Sequence, residues 1–345
     1  MSASSHATLV SDALARHRSA VLDGLRSAID RPGVEHLRYM RYHFGWEDAE
    51  GRATESGGGK LLRPALCLLC AEAVGGDAAS ALPAAVAIEL LHNFSLIHDD
   101  IEDQSDTRHG RPTLWRAAGI AQAINAGDGM FVLAQRTLLD LSLPPERVVK
   151  AATLFNEACI RLCEGQYRDL GFESRSSVTP AEYEEMIAGK SAALIAASMA
   201  IGALCGGADD ATVDAFARCG HLLGLAFQIQ DDVLGAWGDP ALTGKPSGDD
   251  IRSRKKAFPA VHAFAALGGK DLDELERLYA LSGLDDADVA MALRLFETAG
   301  ARDAATSTAR AYAAQGLDEL RPLELTPGRR DEIEAIAAFF VERNA

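Results

Sequence analysis

The sequence predicts an all-α fold, on three observations. Apolar residues recur at helical spacing along nearly all of the 345 residues, no convincing run alternates with period two in Val, Ile, Thr and aromatics, and Gly and Pro fall between the periodic segments. In chain order the periodicity places helices at 6–29, 33–47, 61–75, 80–103, 117–141, 145–172, 180–206, 210–237, 256–267, 272–281, 286–298, 301–320 and 329–343. The stops between them include Gly57-Gly58-Gly59, Gly75-Gly76, Gly110 to Pro112, Pro144-Pro145, Thr179-Pro180 at a helix start, and a long polar stretch from Gly238 to Lys256. None is long or biased enough to be an interdomain linker. One helical domain is therefore expected over 1–345: an N-terminal helical segment at 1–50, a core at 58–259 and C-terminal helices at 260–345.

Charge and cysteine usage narrow the function. A net charge of -16, from 50 acidic against 34 basic residues, argues against nucleic acid as a partner, which would require a cationic surface to release counterions. The six cysteines, at 67, 70, 159, 163, 205 and 219, all lie in apolar, helix-like surroundings, so buried reduced thiols and a cytoplasmic location are expected. Cys67 and Cys70 form a CxxC inside LRPALCLLCAEAV, with no second pair or His cluster to complete a zinc site, and read as core. The first 25 residues lack the apolar stretch of an export signal. The longest apolar run, Ala192 to Cys205, is shorter than the roughly 20 residues that span a bilayer, and reads as a buried helix.

The chemistry begins at AIELLHNFSLIHDDIEDQSDTRHGRPT. Asp99 and Asp103 are one helical turn apart on one face, with Asp100 beside them. Like charges so placed repel unless a cation neutralises them. Mg2+ takes carboxylate oxygens and completes its shell with water and phosphate, which suits a diphosphate ligand. Alone, such a motif is more often a solvated acidic helix end. A second cluster shifts the balance: LAFQIQDDVLGAWGDP ends an apolar helix in Asp231-Asp232, one turn after Gln228. Two such clusters on facing helices of one bundle would clamp a diphosphate leaving group through bridging metals. Lys60 and Arg63, three apart after Gly58-Gly59, share a helix face and suit a second phosphate group, although alone they read as solvated helix-start charges. The segment is no nucleotide loop, because Thr54 and Leu61 occupy its required Gly and Ser/Thr positions; Asp239 rules out Gly244-Lys245 in the same way.

From about Gly58 to Pro259 the chain resembles the trans-isoprenyl diphosphate synthases of the polyprenyl synthetase family, most of all the geranylgeranyl diphosphate synthases. The resemblance implies an isoprenoid synthase fold, a single large helical bundle around a central cavity. It implies three Mg2+ ions on an allylic diphosphate, held by Asp99, Asp100 and Asp103 at the first motif and by Asp231 and Asp232 at the second. Lys60, Arg63 and His92 match the isopentenyl diphosphate site, together with His109. Arg108, Lys190-Ser191, Gln228, Lys245 and Lys255 match the allylic site, and Gln166 and Asp169 of EGQYRDL also fit a family pattern. Three positions depart from it: Gly235 replaces the last acidic residue of the second motif, Leu61 a basic residue, and His109 an arginine. An imidazole lacks the permanent charge and bidentate fork of a guanidinium, so weaker isopentenyl diphosphate binding is expected.

The implied reaction is ionisation, condensation and elimination, in a cavity that excludes water from the allylic cation. Product length depends on what blocks that cavity below the first motif. Phe94 lies five residues before Asp99, about 7.5 Å along a helix, with small Ser95 beside it, which resembles the C20 synthases more than the C15 ones. A farnesyl or longer-chain synthase, a class I terpene cyclase, and a non-catalytic partner subunit remain as alternatives. The resemblance further implies a homodimer without a membrane span.

Overall fold

The computed structural model describes residues 3–31, 33–54, 59–238 and 248–342, with side chains described from residue 7 onward. Where one helix was expected over 6–29 there are two, α1 (Ala3–Ala15) and α2 (Arg18–Ile29). They part at Arg16 and His17, which both reach Glu72, at 3.0 and 2.9 Å. No Gly or Pro marks that break, so the apolar period runs through it. A 3-10 turn at Glu35–Leu37 leads into α3 (Arg38–His43), shorter than expected because the chain turns at Gly45 with φ 75°.

The central helices follow the expectation closely. They are α4 (Leu62–Ala73) and α5 (Ala78–Glu102), the latter capped by Asp77, which accepts from the Ala79 N–H at 3.0 Å. A small antiparallel hairpin comes next, β1 (Thr107–Arg108) with β2 (Arg111–Pro112); two residues per strand are too few for alternation to show in sequence. Gly119, at φ 84°, divides the expected helix 117–141 into α6 (Leu114–Ala118) and α7 (Ile120–Leu138). After α8 (Pro145–Glu173), a capping box between Thr179 and Glu182 opens α9 (Pro180–Ile187). A π-helical segment at Ala188–Ala192 then leads into α10 (Ala193–Cys205), followed by α11 (Asp210–Trp237). The polar stretch yields one unexpected helical turn, α12 (Asp249–Arg252). The chain closes with α13 (Phe258–Ala266), α14 (Gly269–Ala280), α15 (Asp286–Thr298), α16 (Ala301–Leu320) and α17 (Arg329–Glu342).

The residues divide into two compact units. The first comprises Met1–Cys159, Ala197–Ala217 and Leu323–Ala335, the second Ile160–Ala196, Arg218–Pro322 and Ile336–Ala345. In the first unit α5 packs between α4 and α7, burying Leu66, Ile88, Leu90, Leu91 and Met130 completely. A fully buried Leu or Met is worth about 1.5–3 kcal/mol, so each of these side chains contributes substantially to the unit's stability. Small residues let the helices approach: a Cβ on Gly202 would lie 2.1 Å from the Cys67 carbonyl oxygen, so α10 and α4 meet backbone to backbone. In the second unit Leu275, Leu278, Ala292, Phe296 and Ala301 form a core on which Trp237 packs.

Two helices, Ala78–Glu102 and Pro180–Cys205, are long and apolar enough to cross a membrane, but 61% and 83% of their apolar windows are buried, as in core helices. Cys67, Cys70, Cys159, Cys205 and Cys219 are buried and in no disulfide, whereas Cys163 is exposed, contrary to the expectation for all six. It lies next to Glu164 on an outward face of α8 that the apolar character of the helix did not reveal.

Candidate active site

In the first unit the acidic residues gather where α5 ends. No basic residue stands in its last turn, and Asp103 is the capping residue, its N–H bonded to the Asp99 carbonyl at 2.8 Å. The negative end of the helix dipole therefore coincides with the Asp99 and Asp103 carboxylates, and a cation is favoured there. Asp100 has a different setting. It is 2% exposed, and Arg108 Nε lies 2.9 and 3.0 Å from its two oxygens while Nη2 lies 2.8 Å from Oδ1. Burial raises the Asp100 pKa and the Arg108 hydrogen bond draws it back. Arg108 Nη2 also lies 3.5 Å from Asp99 Oδ2, so one guanidinium spans both neighbours.

The hairpin that carries Arg108 and His109 is clamped to α3. Tyr42 donates to the Pro112 carbonyl at 2.8 Å, and Arg111 donates to the carbonyls of Tyr42 and Glu47 at 3.1 Å each. His109 itself is exposed at φ 52°, and its pKa is lowered by desolvation and by the Arg108 charge.

Arg63 on α4 meets His92 on α5: Nη1 donates to Nε2 at 3.2 Å. Burial and the Arg63 charge hold His92 well below the usual imidazole pKa, so it is neutral and accepts. Lys60 is exposed, and Leu61 is buried in the left-handed region at φ 49°. Both Leu61 and His109, two of the three departures from the family pattern, thus sit in backbone conformations that cost on the order of 1–3 kcal/mol. Strain of that kind persists only where surrounding structure enforces it.

Three residues that sequence reasoning missed support this region. His43 bonds to Asn93 Oδ1 at 3.2 Å, and the Asn93 amide donates to the carboxylate of buried Glu89 at 2.9 Å. Burial lowers the His43 pKa to about 3 and raises that of Glu89. Glu89, His92 and Asn93 share α5, but nothing local identifies His43 as their partner.

In the second unit Asp232 is 6% exposed and accepts three hydrogen bonds, from Tyr183 at 2.6 Å, Gln228 Nε2 at 2.8 Å and the Phe258 N–H at 2.8 Å. Burial and then the nearby Asp250 charge nonetheless push its pKa up to about 7. Asp231 beside it is exposed. The two expected ligands therefore differ: Asp232 fixes α9, α11 and the start of α13, while Asp231 faces outward. Ser191 donates to Gln228 Oε1, which sets that amide's orientation.

Lys190 lies in the π-helical segment and reaches Asp169 Oδ2 at 2.5 Å. A Cβ on Gly165 would lie 2.1 Å from the Lys190 nitrogen, and one on Gly189 would lie 2.4 Å from the Arg161 carbonyl oxygen. Glycine at both positions lets the bulge rest on α8, one turn from Asp169; π-bulges of this kind recur at functional sites. Lys255 is half-buried next to Lys256, whose Nζ sits 4.8 Å from the centre of the Tyr279 ring. Lys245 lies outside the described residues.

Among the described residues no three His, Cys, Asp or Glu side chains form a ready cation cage. The donor set still fits Mg2+, which keeps several waters and binds through one or two carboxylates plus phosphate. Below the first motif Phe94 packs against Phe131 at 5.4 Å and His98 at 4.9 Å.

Comparison with known proteins follows the same lines. The family model described as polyprenyl synthetase matches residues 50–296. A (2E,6E)-farnesyl diphosphate synthase of Mycobacterium bovis is 40% identical over 93% of this chain and 90% of its own. A geranylgeranyl diphosphate synthase of Mycobacterium tuberculosis is 44% identical over 75% of this chain and 74% of its own. The crystal structure of a polyprenyl synthetase from Streptomyces coelicolor A3(2) superposes with a TM-score of 0.90 at 39% identity, covering 96% of this chain and 99% of the other.

Proposed function

The chain belongs to the polyprenyl synthetase family, with its isoprenoid synthase fold, and from that premise we propose that it condenses isopentenyl diphosphate with an allylic diphosphate to give geranylgeranyl diphosphate. Within the family it is a short-chain trans-prenyl diphosphate synthase. One observation carries the two-substrate reading. His92, which Arg63 of α4 reaches, and Asp99 stand on one face of α5, seven residues or about 10.5 Å apart. A cationic anion site and a carboxylate site at that spacing serve two diphosphates, whereas a terpene cyclase needs only one.

In this reading Asp99, Asp103 and Asp231 would hold Mg2+, three ions in all, for binding of the allylic diphosphate. The metal supplies Lewis-acid stabilisation of the leaving group. Arg108, Lys190 and Lys245 add positive charge as the allylic C–O bond breaks and its electron pair leaves with diphosphate. The double bond of isopentenyl diphosphate, held through Lys60, Arg63 and His92, attacks the cation to form the new C–C bond. Loss of a proton to the released diphosphate restores a double bond. Asp100 and Asp232 act one step back, by placing Arg108 and Gln228. Residues 1–345 work as a single cytoplasmic catalytic domain.

The Phe94–Phe131 pair supports a C20 floor, while the farnesyl synthase relative supports a C15 product. Supplying dimethylallyl, geranyl and farnesyl diphosphates, each with isopentenyl diphosphate, tests both: geranylgeranyl diphosphate is expected from all three, and failure to extend farnesyl diphosphate sinks the C20 reading. Hydrocarbon release without isopentenyl diphosphate would favour a cyclase, and no turnover with Mg2+ a non-catalytic subunit. A homodimer is also proposed. Val132, Leu139 and Val149, 62%, 62% and 65% exposed, support it as apolar surface along α7 and α8. A monomer by light scattering would refute it.

A further inference from the structure

Arg18 reaches the turn that carries Lys60 from an element that no motif includes. Its Nη1 donates to the Gly59 carbonyl at 2.8 Å, and Lys60 follows that carbonyl directly. Arg18 opens α2, whose Val21, Leu25 and Ile29 are buried, and a Cβ on Gly24 would lie 2.6 Å from Val86 Cγ2, so α2 is seated tightly on α5. The same α5 carries Glu89 and His92, so the position of Arg18 is fixed against the helix that presents His92.

Three further observations set Arg18 apart. As the first residue of a helix with no acidic side chain in its first turn, it places a positive charge against the positive end of the helix dipole, where a cation is disfavoured. Its charge also acts on buried Glu89, whose pKa burial raises and the Arg63 and Arg18 charges draw back. Two guanidinium groups near one buried carboxylate leave positive charge in surplus, which favours an anion. Leu61, finally, is held at φ 49°, a conformation that persists only where its surroundings enforce it, and the Arg18 bond pins the Gly59–Lys60 peptide just before it.

We propose that Arg18 is a positioning residue for isopentenyl diphosphate: by holding the Gly59 carbonyl from α2, it sets where Lys60 starts and so presents the Lys60 ammonium to the diphosphate. The inference rests on the proposed role of Lys60, Arg63 and His92 as the isopentenyl diphosphate site. It extends that site to a residue outside the stretch 50–296 that the family model matches.

Steady-state kinetics with geranyl and isopentenyl diphosphates test this in the parent, Arg18→Ala, Lys60→Ala and the double variant. In Arg18→Ala the KM for isopentenyl diphosphate rises about tenfold, as for loss of one charge-assisted hydrogen bond, while kcat, the KM for geranyl diphosphate and the urea midpoint hold. Adding Arg18→Ala to Lys60→Ala raises that KM by less than about twofold more, because two residues that act in series are not additive. An unchanged KM in Arg18→Ala overturns the inference while product formation by the parent leaves the proposed function standing. So does an equal rise in the KM for geranyl diphosphate with a lowered urea midpoint, which assigns Arg18 to the fold of α2, or a full further tenfold in the double variant, which places Arg18 on the substrate itself. If the parent forms no product from the two diphosphates, the proposed function falls, and the inference with it.

Discussion

Arg108 Nε lies 2.9 Å from Asp100 Oδ1 and 3.0 Å from Oδ2, so two adjacent aspartates of one motif do different work. Asp100 is 2% exposed and committed to the arginine; Asp99 stands partly in solvent at a helix C-terminus. Breaking a buried ion pair by removing one charge costs on the order of 3 kcal/mol, whereas removing a negative charge from the negative end of a helix dipole stabilises by a few tenths, roughly 0.3 kcal/mol or more. Asp100→Asn is therefore expected to lower the urea midpoint strongly. Asp99→Asn is expected to hold or slightly raise it while abolishing Mg2+-dependent turnover. Equal stability losses in the two variants would show that both aspartates are structural.

His109 invites a gain-of-function change. It occupies a position where the family pattern has an arginine, and desolvation together with Arg108 lowers its pKa below the usual 6.5. At neutral pH it brings no fixed charge to the anion site. His109→Arg is expected to lower KM for isopentenyl diphosphate about tenfold, corresponding to about 1.4 kcal/mol, with KM for the allylic substrate unchanged. In the parent, binding of isopentenyl diphosphate should strengthen as pH falls below 6.5 and the imidazole gains its proton; in the variant that dependence should flatten. The left-handed backbone at 109 tolerates histidine better than arginine, so some stability is lost in exchange.

What the sequence made legible, and what it hid, follows from range. The long helices, both Asp-Asp pairs, and the Arg63 and His92 positions could be read because their signals are local: period, spacing and order. The break at Arg16 and His17 was hidden because its cause, Glu72, lies 56 residues from Arg16. Tyr183 reaches Asp232 across 49 positions, and His43 reaches Asn93 across 50, so no window of sequence joins either pair. The different burial of Asp99 and Asp100 was equally out of reach, since it depends on where the hairpin after α5 places Arg108.

His43 predicts an acid sensitivity with a definite sign. Its folded pKa is about 3 against 6.5 unfolded, so between those values the unfolded chain takes up a proton that the folded chain refuses. Stability from this group is complete above pH 6.5 and is lost as pH falls, by about 1.4 kcal/mol per unit. His43→Gln keeps a donor for Asn93 and removes the titration. Between pH 7.5 and 5.0 the parent should lose about 2 kcal/mol more than the variant in urea unfolding. Other titrating groups, Asp232 and His92 among them, are common to both proteins and cancel. Parallel losses would place the His43 pKa near its ordinary value.

Chain length tests the packing beneath Asp99. The ring centres of Phe94 and Phe131 lie 5.4 Å apart, and a Cβ on Gly127 would lie 2.2 Å from His98 Nε2, so side chains of α5 pack against α7 just under the motif. A growing prenyl chain directed down α5 from the first motif meets this layer about five residues, or 7.5 Å, below Asp99. Phe94→Ala is expected to shift products from C20 towards C25 and longer, because it removes the ring nearer the diphosphate. Phe131→Ala alone should shift them less, since Phe94 still blocks the path, and the double variant should shift them further than the sum of the two. That non-additivity is expected of side chains in direct contact. Product chromatography after incubation with farnesyl and isopentenyl diphosphates reads all three. If Phe94→Ala leaves the distribution unchanged while Phe131→Ala lengthens it, the floor belongs to α7. If neither changes it, the stop lies outside this pair.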